Sequence, residues 1–224
     1  MCIVLLFWAT ASSRQMQQAM RWWFKQEAID RAAHSDQIQN GLIQDLFAVR
    51  LSLQSPLPEQ AEDRIRQQQI WVAEADKLHE HLSHLSNTLT QPYLAESLPL
   101  AIRSLLKRWE IAHPNRTVRL DLPLNWHTEP LERNRIILVT LNTLLKLAVP
   151  SSISHATLEI TLIDRLPQAE LTVKITYPDL ATRRSNTHAR ELKYLCRCFR
   201  CLAPGRCFYQ PQSSVAVWRF KWNP

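Results

Sequence analysis

Apolar residues recur at helical spacing along two stretches within the first 90 residues. In residues 38–53 they step by 4, 4, 3 and 4, and in residues 71–89 they step by 4, 3, 4, 3 and 4. Such steps keep one apolar stripe along a helix, and the second set has the spacing of a heptad seam. The stripe residues are Ile38, Leu42, Leu46, Val49, Leu53, Trp71, Ala75, Leu78, Leu82, Leu85 and Leu89.

Two prolines separate the stretches. Pro56 and Pro58 end the first helix, because proline lacks an amide donor and clashes with the preceding turn. The sequence therefore predicts a long helical hairpin. A hairpin alone buries two long stripes poorly, whereas two hairpins paired as a four-helix bundle bury them well. We therefore expect a homodimer.

After residue 92 the pattern changes to shorter elements. Amphipathic helical stretches alternate with stretches of period two, in the order helix, strand, helix, strand, strand, helix, strand, strand. This order predicts an α+β fold, a two-layer sandwich with the helices on one face of a sheet. The domains we expect are an N-terminal apolar segment with a leading helix (1–30), the dimerisation hairpin (31–92) and the α/β domain (93–224).

Composition excludes one class of nucleotide site. The 224 residues include only two glycines, Gly41 and Gly205, so a glycine-rich phosphate loop is excluded. The net charge of +7 attracts acidic proteins, anionic lipid or nucleic acid without choosing among them. Four of the five cysteines lie between residues 196 and 207, and we expect free thiols in a reducing cytoplasm, with no metal site.

Residues 2–11 are almost entirely apolar. A membrane-spanning helix needs about 20 such residues, so this run is too short to span a bilayer alone. Two interpretations stay open: a buried or frayed start of a helix, or the end of a membrane helix or a short anchor at the cytoplasmic face of the membrane, with Arg14, Arg21 and Lys25 on the cytoplasmic side.

Four stretches resemble segments of one known family. Residues 41–54, GLIQDLFAVRLSLQ, are similar to the segment that follows the reactive histidine in sensor histidine kinases of the nitrate-sensor type. Residues 85–123 resemble the linker into that family's ATP-binding domain, residues 135–148 its Mg-ATP asparagine helix, and residues 201–210 its last glycine-containing turn. The resemblance implies a dimerisation and phosphoacceptor hairpin followed by a histidine-kinase-like ATPase domain.

At the positions that carry the family's chemistry, the residues differ. Gln39 stands at the phosphoacceptor position and Asn40 at the neighbouring carboxylate, and a carboxamide is not a nucleophile toward phosphate. In the nucleotide site, Val139 and Thr143 stand where the resemblance places a glutamate and an asparagine, and Tyr177 stands in the adenine-binding turn. Phosphoryl transfer depends on positioning and charge stabilisation, so we expect no kinase activity and no cofactor.

The resemblance implies a role in two-component signal transduction through protein binding. We expect a catalytically inactive homologue that binds a response regulator of the helix-turn-helix class or a partner histidine kinase. The residues expected to contact that partner lie on the first bundle helix: Gln39, Gln44, Asp45 and Arg50.

Three alternatives remain. His34 lies five residues before Gln39 and offers a relocated phosphoacceptor, as in a histidine phosphotransferase. A divergent sensor histidine kinase with altered motifs is the second. A basic nucleic-acid-binding module is the third, although we expect no nucleic-acid partner because neither a reading helix nor an aromatic stacking platform is evident.

Overall fold

The structure, a computed structural model, describes residues 2–37, 43–54, 61–89, 93–150, 153, 155–165, 167–184 and 188–223. For residues 2–12 and several other helical positions, His34 among them, only the backbone is described. The chain divides into two compact units: one joins Met1–Phe24 to Tyr93–Pro224, and the other is Lys25–Pro92. We call them the α/β unit and the helical unit.

Helices dominate the first part of the chain and cover the sheet in the second. Within the described residues they are α1 (Cys2–Gln37), α2 (Ile43–Gln54), α3 (Ala61–Leu89), α4 (Leu98–Ala112), α5 (Leu131–Ala148), α6 (Leu180–Arg184) and α7 (Ala189–Leu202). α4 has a proline in its first turn, where the missing amide costs nothing. In the helical unit, α2 and α3 contact each other.

The sheet is mixed and has five strands. They are β1 (Thr117–Asp121), β2 (Thr157–Arg165), β3 (Gln168–Thr176), β4 (Gly205–Gln212) and β5 (Val215–Trp222), in the spatial order β1-β2-β3-β5-β4. β1 is parallel to β2, and every other neighbouring pair is antiparallel. The α+β fold expected from the order of elements is therefore observed.

Alternation along the strands separates a buried face from a polar one. On β3, Leu171, Val173 and Ile175 are fully buried, whereas the residues between them are half-buried and polar. The buried face meets the apolar faces of α4, α5 and α7 in one core. Its largest fully buried side chains are Trp218, Trp222, Phe199, Phe220, Leu98, Ile102, Leu106, Ile137, Leu141, Leu144, Leu145 and Leu158.

The N-terminal part of α1 packs on α7 within the α/β unit. Ala19 is fully buried, and its carbonyl oxygen accepts a hydrogen bond from the Cys198 thiol at 3.2 Å. Arg197 donates to the Gln15 side chain at 2.7 Å. This helix therefore contributes to the core of the α/β unit. None of the helices in the described part of the chain is both long and apolar enough to cross a bilayer.

The cysteines differ from the expectation of free thiols. The structure pairs Cys196 with Cys207 in a disulfide, so that expectation is wrong for these two residues. The sequence pattern hid the pair because α7 and β4 are joined by a tight turn that brings positions 11 apart within 5.4 Å between Cα atoms. Cys198 and Cys201 are free, and burial raises the pKa of the Cys198 thiol to about 12.

Candidate functional site

The region where the family resemblance places adenine is occupied by a buried tyrosine. Tyr177 follows the last residue of β3 and is 3% exposed. Its hydroxyl donates a 2.8 Å hydrogen bond to the carbonyl oxygen of Ala148, the last residue of α5. The phenol therefore links the end of β3 to the end of α5, and its hydroxyl is engaged inside the protein.

The carboxylate of Asp179, two residues after Tyr177, is also hydrogen-bonded within the protein. Asp179 accepts a hydrogen bond from the backbone amide of Thr182 at 2.6 Å and another from its hydroxyl at 2.9 Å. These two bonds, with the backbone one first, lower the pKa of the Asp179 carboxyl. The carboxylate satisfies otherwise unpaired amides at the start of α6, so it acts as a helix cap.

On α5 the two positions expected to be degenerate lie one turn apart. Val139 and Thr143 are both half-buried, and Val139 packs against the core. Residues four apart are offset by about 40° around a helix, so the two side chains share a side of α5. Neither carries the carboxylate that this side of the helix would need to act on a bound metal-nucleotide.

A cavity of about 250 Å³ lies in the α/β unit beside Tyr177. We call it the aromatic cavity, and its lining residues are Tyr177, Arg183, Ala189, Leu192, Lys193, Tyr209 and Trp218. Tyr209 stacks on Trp218 across the β4–β5 pair, with ring centroids 4.8 Å apart. The residues come from β3's end, α6, α7, β4 and β5, so the fold alone assembles the cavity.

The aromatic cavity carries positive charge. Arg183 and Lys193 both line it, and no acidic residue is among the described lining residues. The Nε atom of Arg183 is buried and has no hydrogen-bond partner within the described part of the chain. Buried donors are usually paired, so this nitrogen is a candidate contact for an acceptor that enters the cavity.

A second polar cluster lies outside this region, around His127. Nδ1 of His127 is 2.8 Å from Oδ2 of Asp164, and Nε2 is 2.7 Å from Oε1 of Glu129. The same Glu129 oxygen accepts a 2.9 Å hydrogen bond from the indole of Trp222. Because both ring nitrogens face carboxylates, the cluster ties the loop before α5 to β2 and β5.

Arg116 holds the chain segment that follows α5. Its guanidinium donates to the carbonyl oxygens of Val149, Pro150 and Ile153 at 2.9–3.2 Å, and it lies 5.1 Å from the centre of the Trp109 ring. Burial lowers the pKa of Arg116. These bonds fix the same end of α5 whose carbonyl binds the Tyr177 hydroxyl, so Arg116 supports the geometry of the region.

The expected partner-binding residues lie on α2 in the helical unit, apart from Gln39, which with Asn40 lies outside the described residues. Gln44 and Arg50 are exposed, whereas Asp45 is half-buried. Helical geometry sets Gln44 and Arg50 about 120° apart around the axis. A partner that contacts both has to cover about a third of the circumference of α2.

His34, the alternative phosphoacceptor, lies on α1, and its side chain is outside the description. Across the residues that the structure describes, no group of three or more histidine, cysteine or acidic side chains has the geometry of a metal site.

Sequence reasoning missed the aromatic cavity, the His127 cluster and the packing of α1 on α7. Each joins residues from distant parts of the chain, and none follows a contiguous motif. One feature of the sequence could have indicated an aromatic wall, namely the aromatic content of the last strand. There Trp218, Phe220 and Trp222 occupy alternate positions on the buried face.

Comparison with known proteins identifies no relative by sequence. No protein-family model matches the chain, and no curated protein matches it at a significant level.

Among solved structures, the chain is similar to histidine kinase domains. For the domain of a blue-light-activated histidine kinase from Erythrobacter litoralis, the TM-score is 0.45 and the identity 11%, over 82% of this chain and 93% of that chain. For the histidine kinase AdeS of Acinetobacter baumannii, the TM-score is 0.38 and the identity 12%, over 83% of this chain and 96% of that chain. For the catalytic domain of the histidine kinase ThkA, the TM-score is 0.41 and the identity 10%, over 56% of this chain and 89% of that chain. Likenesses at these values carry no inference about activity.

Proposed function

We propose that this protein is a catalytically inactive histidine-kinase homologue of two-component signalling, of the nitrate-sensor type, which dimerises and acts by binding another protein. The partner is a response regulator of the helix-turn-helix class or a histidine kinase with which the chain pairs. The resemblance of residues 41–54, 85–123 and 135–148 to that family motivates the proposal.

The observation that carries the proposed loss of catalysis is the burial of Tyr177. A nucleotide-binding turn needs an exposed acceptor for the base, whereas this side chain is buried and bonds the carbonyl of Ala148. The neighbouring carboxylate of Asp179 caps α6. Val139 is packed against the core at a position where metal-dependent chemistry needs a polar group. All three groups serve the fold of the protein, and this supports the proposed loss of the groups that position phosphoryl transfer.

Exposed apolar side chains in the helical unit support a homodimer. Leu46, Leu53 and Leu82 belong to the stripes expected at the bundle interface, and they are 57%, 59% and 44% exposed in the single chain. Leaving large apolar side chains in water forgoes about 1.5–3 kcal/mol each. A second copy that pairs the same stripes would bury them in a four-helix bundle.

Docking of a regulator is proposed for the outer surface of α2 and the segment before it. Gln39 and Asn40 are polar amides close in shape to the residues that the family resemblance places there, so a receiver domain would still find complementary polar groups at these positions. Gln44 and Arg50 are exposed and available to such a partner. The affinity would then depend on this helix surface and not on phosphorylation.

Calorimetric titration with ATP and Mg²⁺ tests the loss of the nucleotide site. We expect no binding heat for the full chain, and none for Tyr177→Asp, because one carboxylate does not rebuild the metal site. An active histidine kinase domain titrated in parallel shows that the conditions are suitable. Micromolar, magnesium-dependent binding to the wild type would contradict the proposal.

Transfer from a phosphorylated receiver domain separates the proposal from the His34 alternative. We expect binding without transfer of the label, and equal binding by His34→Ala. Changing Gln44 and Arg50 together to alanine should weaken binding, whereas changing the exposed Arg66 and Gln68 of α3 should not. Label on His34 would establish a phosphotransferase in place of an inactive homologue.

A further inference from the structure

The aromatic cavity has the volume and the lining of a small-molecule binding site. The proposed loss of nucleotide binding does not account for such a cavity. Its volume, about 250 Å³, lies just below the roughly 300–1,000 Å³ of typical ligand pockets. A cavity of this size accommodates one or two fused rings. Its walls are largely apolar and aromatic, with a few polar groups, which is the usual composition of a binding site.

The aromatic wall is held in place by the sheet. Trp218 is 2% exposed and pairs with Tyr209 on the neighbouring strand, where the two rings stack. Just beyond the end of β3, the Tyr177 ring is fixed by the hydrogen bond from its hydroxyl to the carbonyl oxygen of Ala148. The wall therefore exists without a ligand, and a flat ring entering it would not have to order these side chains.

The polar groups select for an anion. Arg183 is positioned by α6, whose first turn is capped by Asp179, and its buried Nε atom has no partner among the described residues. Lys193 is exposed on α7, one turn after Ala189, so the cavity also faces the positive end of that helix. A carboxylate accepts hydrogen bonds from a guanidinium and an ammonium at once.

We propose that the aromatic cavity binds a small planar aromatic carboxylate, without a metal ion. The ring lies against Trp218 and Tyr209, and the carboxylate is held by Arg183 and Lys193. A magnesium nucleotide suits the cavity poorly, because the described lining residues offer no carboxylate oxygen to the metal and the volume is small.

A matched pair of probes tests both halves of the inference. The full chain is titrated with 2-naphthoate and, separately, with the neutral 2-naphthylmethanol, and the indole N–H signals of its eight tryptophans are followed by NMR. Trp218→Phe assigns the signal of Trp218. We expect 2-naphthoate to shift that signal saturably at roughly 0.1–1 mM, as suits about a dozen heavy atoms, and the alcohol to bind at least about tenfold more weakly.

Substitution of the lysine isolates the role of charge. Lys193→Gln removes the charge of an exposed side chain and keeps it polar, so the fold is retained, and it should weaken 2-naphthoate binding about tenfold while leaving binding of the alcohol unchanged. Lys107→Gln, an exposed lysine on α4 outside the cavity, should change neither. Calorimetry measures these affinities without the Trp218 assignment, so the test survives if Trp218→Phe fails to fold.

Two results would overturn the inference. One is the absence of saturable 2-naphthoate binding up to about 5 mM, well above the affinity expected for such a ligand. The other is binding that is equal for acid and alcohol and insensitive to Lys193→Gln, which would indicate nonspecific adsorption on apolar surfaces. Neither result bears on the dimer or on regulator binding, so failure here is distinguishable from failure of the proposed function.

Discussion

The α/β unit and the helical unit use their apolar residues in opposite ways. In the α/β unit, the sheet's apolar face is covered by α4, α5 and α7, and the largest core side chains are fully buried. In the helical unit, α2 and α3 contact each other, yet Leu46 and Phe47 are 57% and 64% exposed. The α/β unit buries its own apolar surface, whereas α2 and α3 leave large apolar side chains exposed in the single chain.

The difference follows from the number of layers. A sheet covered by helices encloses a core within one chain, because each element has a neighbour on its apolar side. A pair of helices has one contact line and two flanks, so a wide apolar stripe on each helix cannot be buried by the pair alone. The comparison therefore predicts that the helical unit is the one whose state depends on concentration.

The largest expected effect concerns association. Changing Leu46 and Leu82 to glutamate would place unpaired carboxylates in the interface, so we expect dimer affinity to fall more than about 100-fold. Light scattering at tens of micromolar should then report monomers. Leu124→Glu is the matched control, because this leucine of the α/β unit is 96% exposed and should not change the mass. A monomeric wild type at that concentration would break the comparison.

The next largest effect is expected at Gly205, where a substitution tests how tightly the core of the α/β unit is packed. A Cβ added at Gly205 would lie 2.5 Å from the carbonyl oxygen of Lys221 and 2.7 Å from the Phe199 ring. Both neighbours are held in the fold, so Gly205→Ala should destabilise this unit by about 1–3 kcal/mol. Urea unfolding followed by tryptophan fluorescence measures it.

Arg206→Ala, at the exposed neighbouring position, should cost less than about 0.5 kcal/mol. Equal unfolding curves for the two variants would mean that the backbone of the turn between α7 and β4 shifts to accommodate the added methyl group. The core near Phe199 would then be less tightly packed than the contacts indicate.

A smaller effect is expected at Tyr177. Tyr177→Phe removes the hydroxyl that bonds the Ala148 carbonyl while keeping the buried ring, so the cost should be about 1 kcal/mol. Thermal unfolding of the α/β unit measures it, and Tyr209→Phe, which is half exposed, serves as the control. A stabilised Tyr177→Phe would show that the hydroxyl is retained for another purpose than holding β3 to α5.

The smallest effect concerns the polar face of the sheet. Glu170 on β3 lies opposite Lys221 on β5, with Oε2 and Nζ 3.0 Å apart. Burial raises the pKa of Glu170, but its hydrogen bonds to Lys221 and Thr172, with the charges of Lys221 and Arg219, outweigh that effect and lower the pKa overall.

A lowered pKa in the folded state means that the pair stabilises the protein above the unfolded-state pKa of about 4.3, and that this contribution is lost as the pH falls through the folded-state value. Glu170→Gln should therefore be about 0.5–1 kcal/mol less stable than the wild type at pH 7, with the difference shrinking toward about pH 3. Chemical unfolding at several pH values checks it. A difference that does not depend on pH would assign the effect to packing.

The elements after residue 92 were predictable to a large extent. β2, β3 and β5 alternate cleanly, and α4 and α5 show apolar residues at helical spacing, because each borders the core on one face. α6 was missed, since five residues are too few for a period to show. The Cys196–Cys207 pair was missed as well, because spacing along the chain does not report how α7 turns into β4.

From the sequence, the candidate site was predictable only through the family resemblance. The resemblance places Tyr177 at an adenine-binding turn, but the hydrogen bond from its hydroxyl to Ala148 cannot be predicted from the sequence. The same holds for Arg183 and Lys193, which are two basic residues among many until α6 and α7 bring them to one cavity.

The sequence by itself determined the α+β class, the exclusion of a glycine-rich phosphate loop and the apolar stripes of the helical unit, because periodicity and composition act through residues close along the chain. Only the tertiary structure decided which side chains meet. Tyr177 and Ala148 are 29 positions apart, and Arg197 and Gln15 are 182 apart. Contacts at such separations depend on how strands order themselves and how helices cover them, and nearly equal local patterns are compatible with several such arrangements.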